Sequence, residues 1–465
     1  MTKCYSVEFF TDSRPILYFP KDNDFDQPIE QVAFGSLVTS AKVLPHERKK
    51  KTISISTALK DFLHIPNIPL RLHLFCHHQT FFLGPIVGIF TAGFTRGSKL
   101  PLGNRSYQFA KFFSVGHRVG VLPILFGLQH IDWDKGLVRG YYFYQNRWME
   151  MSVPLPNIIY DRLPNREVEK LKKIKEAKGK LTQEYVIPSF NPGFFNKIEI
   201  YKKLTQNTKT KTYIPKTIPF QKEKDVKMML DEFQCVYMKP NEGSLGNGVY
   251  RIEKEGKDLL CSFRDKKGNN RIVKFSSIKR LLHLLEKKDK GEYVIQRGIP
   301  LLKINGCPAD FRVHTNKGKD GKWYVTAIAV KVANPLGATT HRLSGGSVKT
   351  VDELFPDQRE KNRNVFSLIN AALILSKELD KRYHERLGEI GFDLGIDEEG
   401  NVWMFEANSK PGRSIFSHPD LSKNEQMIRK FLLSYSVYLT EQFFLVPEKF
   451  FEKAIQHASF TANSP

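Results

Sequence analysis

The stretch GFDLGIDEEGNVWMFEANSKPG (391–412) has the pattern of two β-strands joined by a polar turn. With the turn centred between Glu399 and Gly400, antiparallel pairing brings Asp393 directly opposite Glu406. Like charges that face each other across two strands destabilise a sheet. A positive partner is therefore expected beside these two carboxylates.

The same register also positions an amide. It places Asp397 opposite Val402 and turns Asn408 toward the face of Glu406, because side chains two residues apart in a strand share a face. Two carboxylates and an amide offer only oxygen ligands, and such a set suits Mg²⁺ completed by water and phosphate oxygens. The hairpin thus predicts a magnesium site at Asp393, Glu406 and Asn408. A solvated acidic hairpin end is the alternative.

A second motif, VYMKPNEGSLGNGVY (236–250), is a strand that ends in Lys239 and continues into a glycine-rich loop. Glycines allow backbone N–H groups to approach phosphate closely, and the lysine adds a point charge. The loop is not a Walker A sequence, since Val249 follows Gly248, nor a dinucleotide fingerprint, since the strand-like VYRI follows it. Alone, it could equally be a hairpin turn. Together with a magnesium site, a phosphate loop predicts a bound nucleotide.

The composition is that of a basic globular protein. The 465 residues include 72 Lys and Arg against 49 Asp and Glu, a formal net charge of +23, and 41% are hydrophobic. This length predicts more than one domain, and the charge favours polyanions such as nucleotide phosphates or an acidic polymer. The lack of an arginine-rich arm or zinc-finger spacing argues against nucleic acid. Scattered cysteines and the absence of a bilayer-spanning apolar run predict a cytoplasmic protein.

Periodicity divides the chain into four segments. Short alternating runs predict a small β-rich domain over 1–82. An apolar strand, a helix and another apolar strand within 84–126 predict a βαβ unit, part of a Rossmann-like domain over 83–190 that ends in a basic linker or helix. Strands mixed with one-sided helices predict α+β sheets over 191–420, and a helical tail is expected at 421–465.

Three motifs, MKPNEGSLGNG, ADFRVH and FEANSKPG, resemble the ATP-grasp superfamily in their order and spacing over 191–418. FGSLVTS, GPIVGIF and MSVPLPNIIYDRLPNR are similar to a narrower branch, the YheC/YheD family of endospore coat-associated proteins. The resemblance implies an α+β ATP-grasp fold in which two α+β subdomains enclose ATP. A Rossmann-like pre-ATP-grasp unit and the β-rich domain would precede it.

The resemblance also implies how ATP and Mg²⁺ are held. The residues that it places at ATP are Lys202 (with Lys203 as the alternative), Lys239, Gly243, Ser244, Gly246, Gly248, Gln296, Arg297, Ile299 and Asp310. Within this set, 243–248 would form a lid loop over the phosphates, and YVIQRGI would form the hinge against which adenine rests. Asp393, Glu406 and Asn408 match the magnesium ligands, with Glu406 as the bridge.

The implied chemistry is ATP-dependent ligation of a carboxylate to an amine or thiol through an acyl phosphate. Arg312 would face the γ-phosphate, while Lys331 stands where relatives often have an arginine, and Arg342 lies in the following loop. A lysine cannot reproduce the bidentate geometry of arginine. Cell-wall or spore-coat components are the expected substrates, and coat association is expected as well. The alternative is a non-catalytic basic protein that binds a polyanion, keeps the fold and binds ATP structurally.

Overall fold

The computed structural model describes residues 3–21, 28–47, 51–95, 99–241, 248–265, 267–286, 292–334, 345–448 and 450. Within these residues the chain forms four main β-sheets with helices between and around them. None of the helices in the described part is long and apolar enough to cross a membrane.

The first sheet is mixed and is built by the N-terminal residues. Its elements are β1 (Lys3–Phe10), β2 (Ile16–Pro20), β3 (Gln31–Phe34), β4 (Leu37–Ser40), β5 (Lys42–His46), β6 (Thr52–Ser56), α1 (Thr57–Phe62), β7 (Leu70–His77) and β8 (Thr80–Gly84). The strands are hydrogen-bonded in the order β4-β3-β8-β7-β1-β6-β2-β5. The β-rich content expected from the alternating runs is observed here.

The second sheet has a parallel centre. Its elements are β9 (Ile86–Phe90), α2 (Ser106–Val119), β10 (Leu122–Phe126), β11 (Ile131–Asp132), β12 (Leu137–Tyr144), β13 (Arg147–Pro154), β14 (Ile158–Asp161), α3 (Arg166–Lys170), α4 (Lys172–Gly179) and β15 (Ser189–Phe190). The order is β11-β12-β10-β9-β14-β15, with β13 on β12, and β9 runs parallel to both β10 and β14. The predicted βαβ unit is therefore confirmed. Both β9 and β10 are buried along their whole length, as parallel strands covered on two faces are.

The third sheet is antiparallel and carries the strand that precedes the glycine-rich loop. Its elements follow α5 (Lys197–Thr205) and α6 (Thr208–Lys211), and they are β16 (Thr217–Pro219), α7 (Glu223–Phe233), β17 (Cys235–Pro240), β18 (Tyr250–Glu255), β19 (Asp258–Arg264), β20 (Asn270–Phe275), α8 (Ile278–Glu286) and β21 (Tyr293–Arg297). The order is β16-β21-β17-β18-β19-β20. Helix α7 buries one face through Val226, Met229 and Leu230, as a one-sided helix does.

The fourth sheet contains the hairpin that opens the sequence analysis. Its elements are β22 (Lys303–Ile304), β23 (Cys307–Lys317), β24 (Trp323–Val332), β25 (Ser347–Lys349), α9 (Val351–Leu354), α10 (Gln358–Arg382), β26 (Glu389–Ile396) and β27 (Val402–Asn408). The order is β25-β24-β23-β26-β27, with β22 on β23. Helix α10 packs on β23, β24 and β26 through buried residues such as Leu368 and Leu375, so that β26 is buried throughout.

The last described helix, α11 (Ser422–Leu445), packs against α2, β23 and β24. Its buried residues Ile428, Leu432 and Leu433 belong to one apolar core that also includes residues of the first and second sheets. The first sheet ends at Gly84 and the second begins at Ile86, close to the predicted boundary, although the two share this core. The predicted division into domains remains a proposal.

Candidate functional site

The hairpin of β26 and β27 carries the predicted carboxylate pair. Asp393 lies directly opposite Glu406, and Asn408 lies opposite Gly391. Asp393 is buried, whereas the side chain of Glu406 is 30% exposed. The hairpin therefore presents one enclosed acid and one accessible acid side by side.

Nearer the turn, the predicted pairing of Asp397 with Val402 is wrong. Val402 pairs with Ile396 instead, because the register shifts by one residue after Asp393 at a β-bulge. The carboxylate of Asp397 closes the turn, where Oδ1 accepts a hydrogen bond of 2.8 Å from the backbone N–H of Asn401. Counted outward from the turn, the bulge is what brings Asp393 opposite Glu406, since without the extra residue Asp393 would lie opposite Phe405.

Protein cations lie where a positive partner was expected. Arg312, directly opposite Asp393, donates from Nε to Oδ1 at 2.7 Å and from Nη2 to Oδ2 at 3.2 Å. Lys331 Nζ lies 3.0 Å from Asp393 Oδ1 and 2.8 Å from Oδ1 of Asp310, its cross-strand partner. Burial raises the pKa of Asp393, but the charges of Arg312 and Lys331 outweigh burial and hold that pKa well below its ordinary value. These cations offset the repulsion between the two carboxylates.

Lys239 brings a charge from the third sheet to this cluster. Its Nζ donates a 2.6 Å hydrogen bond to Oε1 of Gln296, which is buried and donates in turn to Thr217 Oγ1 at 3.0 Å. The ammonium also lies 5.6 Å from the ring centroid of Phe405 on β27. Burial lowers the pKa of Lys239 to about 8, although the charge of Glu406 opposes that shift. Lys239 is thus a poorly solvated cation near the hairpin carboxylates.

A different lysine from the one predicted meets the hairpin from α5. Lys197, which begins α5, has Nζ 3.6 Å from Oε1 of Glu406, and its side chain is only 10% exposed. Lys202 is exposed, and Lys203 donates to the backbone oxygen of Arg382 at 3.0 Å. The structure therefore brings neither Lys202 nor Lys203 to the carboxylate pair, and Lys197 was not among the predicted residues.

The predicted adenine hinge, YVIQRGI (293–299), consists of β21 and the two residues after it. The guanidinium of Arg297 lies over the rings of Phe233 and Trp403, at 5.1 and 5.4 Å from their centroids. The backbone N–H of Gly298 donates to the oxygen of Cys235. Beyond Gly298, the chain leaves the sheet before it reaches β22. Gln296 and Arg297 therefore lie at the end of the third sheet, just before the chain enters the fourth sheet.

Some predicted site residues lie outside the described residues. They are Gly243, Ser244, Gly246 and Arg342. Gly248, the last glycine of the loop, is described and has a φ of 69°, a left-handed conformation that glycine adopts readily. Among the described residues, no group of three or more His, Cys, Asp or Glu side chains is arranged to hold a metal ion. Asp393 and Glu406 would therefore need oxygen ligands from other sources.

Sequence comparison identifies two spore proteins of Bacillus subtilis (strain 168) as relatives. The chain is 37% identical to the endospore coat-associated protein YheD over 417 residues, 90% of this chain and 92% of that protein. It is 25% identical to the endospore coat-associated protein YheC over 295 residues, 62% of this chain and 79% of that protein.

The structural neighbours include ATP-grasp ligases. The D-alanine–D-alanine ligase of Bacillus anthracis aligns with 77% of this chain and 99% of its own chain, with a TM-score of 0.46 and 11% sequence identity. The model of the YheC/D-like ATP-grasp domain matches residues 186–439, which contain both the third and the fourth sheet. The fold is therefore the predicted α+β ATP-grasp fold. With this match and the extended identity to YheD, the chain belongs to the YheC/D-like ATP-grasp family.

Proposed function

We propose that the protein is an ATP- and Mg²⁺-dependent ligase that joins a carboxylate to an amine or a thiol. The observation that carries this proposal is the convergence of Lys239, Arg312 and Lys331 on the carboxylates of the β26–β27 hairpin. Such a cluster of cations beside accessible acid is suited to a nucleotide triphosphate, whose transfer chemistry depends on positioning and charge stabilisation.

The proposed reaction has two steps. An oxygen of the substrate carboxylate attacks the γ-phosphorus of ATP, the bond from that phosphorus to the bridging oxygen breaks, and ADP leaves. The amine or thiol then attacks the carbonyl carbon of the acyl phosphate, inorganic phosphate leaves, and the nucleophile loses its proton. In the first step, Lys239 and Arg312 would stabilise the negative charge that gathers on the phosphoryl oxygens.

The hairpin fits a magnesium site by the chemistry of its donors. Asp393, Glu406 and Asn408 offer only oxygens, as a hard cation prefers, and Glu406 is accessible. Both oxygens of Asp393 already accept hydrogen bonds from Arg312, so phosphate oxygens and water would have to supply much of the coordination. Bound Mg²⁺ would neutralise charge on the transferring phosphoryl group.

The residues predicted for ATP keep their proposed roles, with one replacement. Lys197 replaces Lys202 as the proposed phosphate contact from α5, because it lies beside Glu406. Gln296, Arg297 and the backbone of Ile299 are proposed to meet adenine. The protein is further proposed to work in the cytoplasm, as its scattered cysteines indicate. By its likeness to YheD, it is proposed to associate with the endospore coat and to act on substrates from the cell wall or coat.

Release of ADP tests this proposal. The purified full chain is incubated with ATP, Mg²⁺ and a panel of carboxylates, amines and cell-wall fragments. The wild type and Lys254→Met, which removes an exposed lysine of β18, should form ADP only when an acceptor is present. Lys239→Met should form no ADP with any acceptor, and its binding free energy for ATP should weaken by about 1.5–3 kcal/mol. Tight ATP binding without ADP formation, or salt-sensitive binding of a polyanion independent of ATP, would favour the non-catalytic alternative.

A further inference from the structure

The topology of the second sheet predicts a crevice of the kind in which α/β proteins bind ligands. From β9 the chain passes through α2 to β10 on one side, whereas from β14 it passes to β15 on the other side. In open parallel sheets, ligands bind outside the carboxyl ends of two neighbouring strands whose connections diverge in this way. β9 ends at Phe90 and β14 ends at Asp161, so the crevice lies beyond these two residues.

Arginine side chains gather at this point from both sides of the crevice. Thr91, directly after β9, donates from Oγ1 to the backbone oxygen of Arg162 at 2.8 Å, and it accepts from Nη2 of Arg105 at 2.9 Å. Arg162 donates from Nη1 to Oε1 of Glu389 and from Nη2 to the backbone oxygen of Pro411, both at 3.3 Å. The second sheet and the loop after β27 therefore meet around these arginines.

A third arginine comes from the ATP-grasp side. Arg413 donates from Nη2 to Oε2 of Glu389 at 2.8 Å, and its side chain is 6% exposed. Glu389 is fully buried and also accepts a hydrogen bond from the hydroxyl of Tyr160. One carboxylate thus serves two guanidinium groups, while the side-chain hydrogen bonds of Arg105 go to the neutral oxygens of Thr91 and Ala92.

Among the described residues, this arrangement leaves the charge of Arg105 without an acid in hydrogen-bond contact. Hydrogen bonds from Arg162 and Arg413 converge on Glu389. Burial lowers the pKa of Arg413, but the charges of Glu389 and Glu425 outweigh burial and raise that pKa. Burial together with the charge of Arg162 lowers the pKa of Arg105. Within the described residues, Nη1 of Arg413 is buried without a hydrogen-bond partner. A buried guanidinium N–H without an acceptor is costly, and oxygen atoms of an anion would remove that cost.

The crevice adjoins the proposed phosphate site. A Cβ atom built on Gly391 would lie 2.5 Å from Cβ of Pro411 and 3.4 Å from Nη1 of Arg312. Pro411 therefore packs beside Arg312, and it also accepts the hydrogen bond of Arg162. An elongated acid could place one carboxylate at Arg312 and a second group among the crevice arginines.

We propose that Arg105, Arg162 and Arg413 bind a second carboxylate of the acid that the enzyme activates, so that the substrate is a dicarboxylic acid. This inference rests on the proposed ligase function. The planar fork of arginine matches a carboxylate in two hydrogen bonds, and the local excess of positive charge is suited to an anion. Within the part of the chain that the structure describes, Arg105 has no acid partner to lose, so its removal should affect ligand binding most directly.

Binding of small diacids tests the assignment without requiring turnover. Isothermal titration calorimetry with the full chain and a non-hydrolysable ATP analogue compares succinate, glutarate and adipate with their monoamides and with inorganic phosphate. The wild type should bind one diacid about tenfold or more tightly than its monoamide, the scale of a lost charged hydrogen bond. Arg105→Gln should lose that preference, while Arg139→Gln, which removes an exposed arginine of the same sheet, should keep it.

Each alternative result is decisive. Equal binding of every diacid and its monoamide by the folded wild type, or preservation of the preference in Arg105→Gln, would overturn the proposal and leave a structural ion-pair network. Tighter binding of phosphate than of any diacid would also overturn it. Arg162→Lys, which keeps the charge but loses the fork, serves if Arg105→Gln does not fold, and a preserved preference would again refute the assignment. Diacid binding without ADP release would refute the ligase function but leave the diacid site standing. ADP release with monoacids alone would support the ligase function and refute the diacid site.

Discussion

The buried ammonium of Lys239 should make ATP binding depend on pH. Burial lowers the pKa of Lys239 to about 8, and phosphate charges would raise it again on binding. Binding would therefore take up a proton above pH 8, and affinity should fall as the pH rises. With a pKa of about 8, the protonated fraction drops from about ten elevenths at pH 7 to about one eleventh at pH 9, so the affinity should fall about tenfold, or about 1.4 kcal/mol.

The assay measures the Kd of an ATP analogue at pH 7 and pH 9 with saturating Mg²⁺ and constant ionic strength. Lys239→Met is the control, because it keeps the pH dependence of the nucleotide itself and removes that of the lysine. Between pH 7 and pH 9, the Kd of the wild type should therefore rise about tenfold more than the Kd of Lys239→Met. If Lys239→Met shows the same pH dependence as the wild type, Lys239 does not contact the phosphates.

Without nucleotide, Lys239 should make the stability of the fold rise with pH, whereas the affinity for ATP falls with pH. The pKa of Lys239 is lower in the folded state than in the unfolded state, so the charged lysine destabilises the fold. The full penalty applies below about pH 8, and it disappears as the pH rises toward about 10.4. Lys239→Met should therefore raise the melting temperature of the nucleotide-free protein at pH 7. A lower melting temperature would show that the methionine packs poorly or that the lysine is better solvated than its surroundings indicate.

Other substitutions probe the hairpin and the core. Mg²⁺ with a non-hydrolysable ATP analogue should stabilise the wild type by about 2.7 kcal/mol at a hundredfold excess over Kd, and Glu406→Gln should lose most of the Mg²⁺-dependent part; a full shift in this variant would exclude Glu406 as a ligand. Asp393→Asn should lower the free energy of unfolding in urea by about 3–5 kcal/mol, because it leaves buried cations uncompensated. Since the folded pKa of Asp393 is depressed, this difference should shrink as the pH falls below about 3.9, and a difference that persists in acid would contradict the ion-pair explanation. Leu432→Ala in α11 should cost about 2–5 kcal/mol, whereas the exposed Met427→Ala should stay within about 0.5 kcal/mol, and equal losses would contradict the packing of α11.

The carboxylate pair could be predicted from sequence because strand alternation has a short, fixed period. The prediction of Asp393 opposite Glu406 used this period with an assumed turn centre, and in the structure the pairing also depends on a bulge. The bulge at Phe405 could not be predicted, because distant groups stabilise it. The backbone oxygen of Phe405 accepts a hydrogen bond of 2.6 Å from the hydroxyl of Tyr201, and its ring lies against Gly395. Contacts between α5 and β27 of this kind have no local signature.

Lys197 rather than the predicted Lys202 is proposed to contact the phosphates for a geometric reason. Lys197 and Lys202 are five residues apart, and in an α-helix five residues correspond to a rotation of about 140° beyond one full turn. The two side chains therefore cannot meet the same site, and the choice depends on which face of α5 is buried. Ile200, Tyr201 and Leu204 face the core, which leaves Lys202 exposed.

The sequence predicted that a positive group would lie beside Asp393, but it did not show that this group would be Arg312. Asp310 and Arg312 share a face of β23, as their spacing indicates, yet nothing local shows that β23 pairs with β26 so that Arg312 stands opposite Asp393. The arginine crevice was missed for the same reason, since Arg105, Arg162 and Arg413 come from three distant segments. Long-range pairing, more than local pattern, thus determines what the site residues contact.

The packing of α11 has a consequence for how the protein is made. On the ribosome the N-terminal sheets emerge first, but their apolar core also takes residues from the helix near the other end of the chain. During synthesis, the surface of α2 that α11 covers therefore stays exposed to solvent until the chain has grown from Val119 to Ser422 and beyond. If synthesis stalls after the β26–β27 hairpin, the nascent chain has its carboxylate pair but lacks α11. Its incomplete core would expose apolar surface, which chaperones bind.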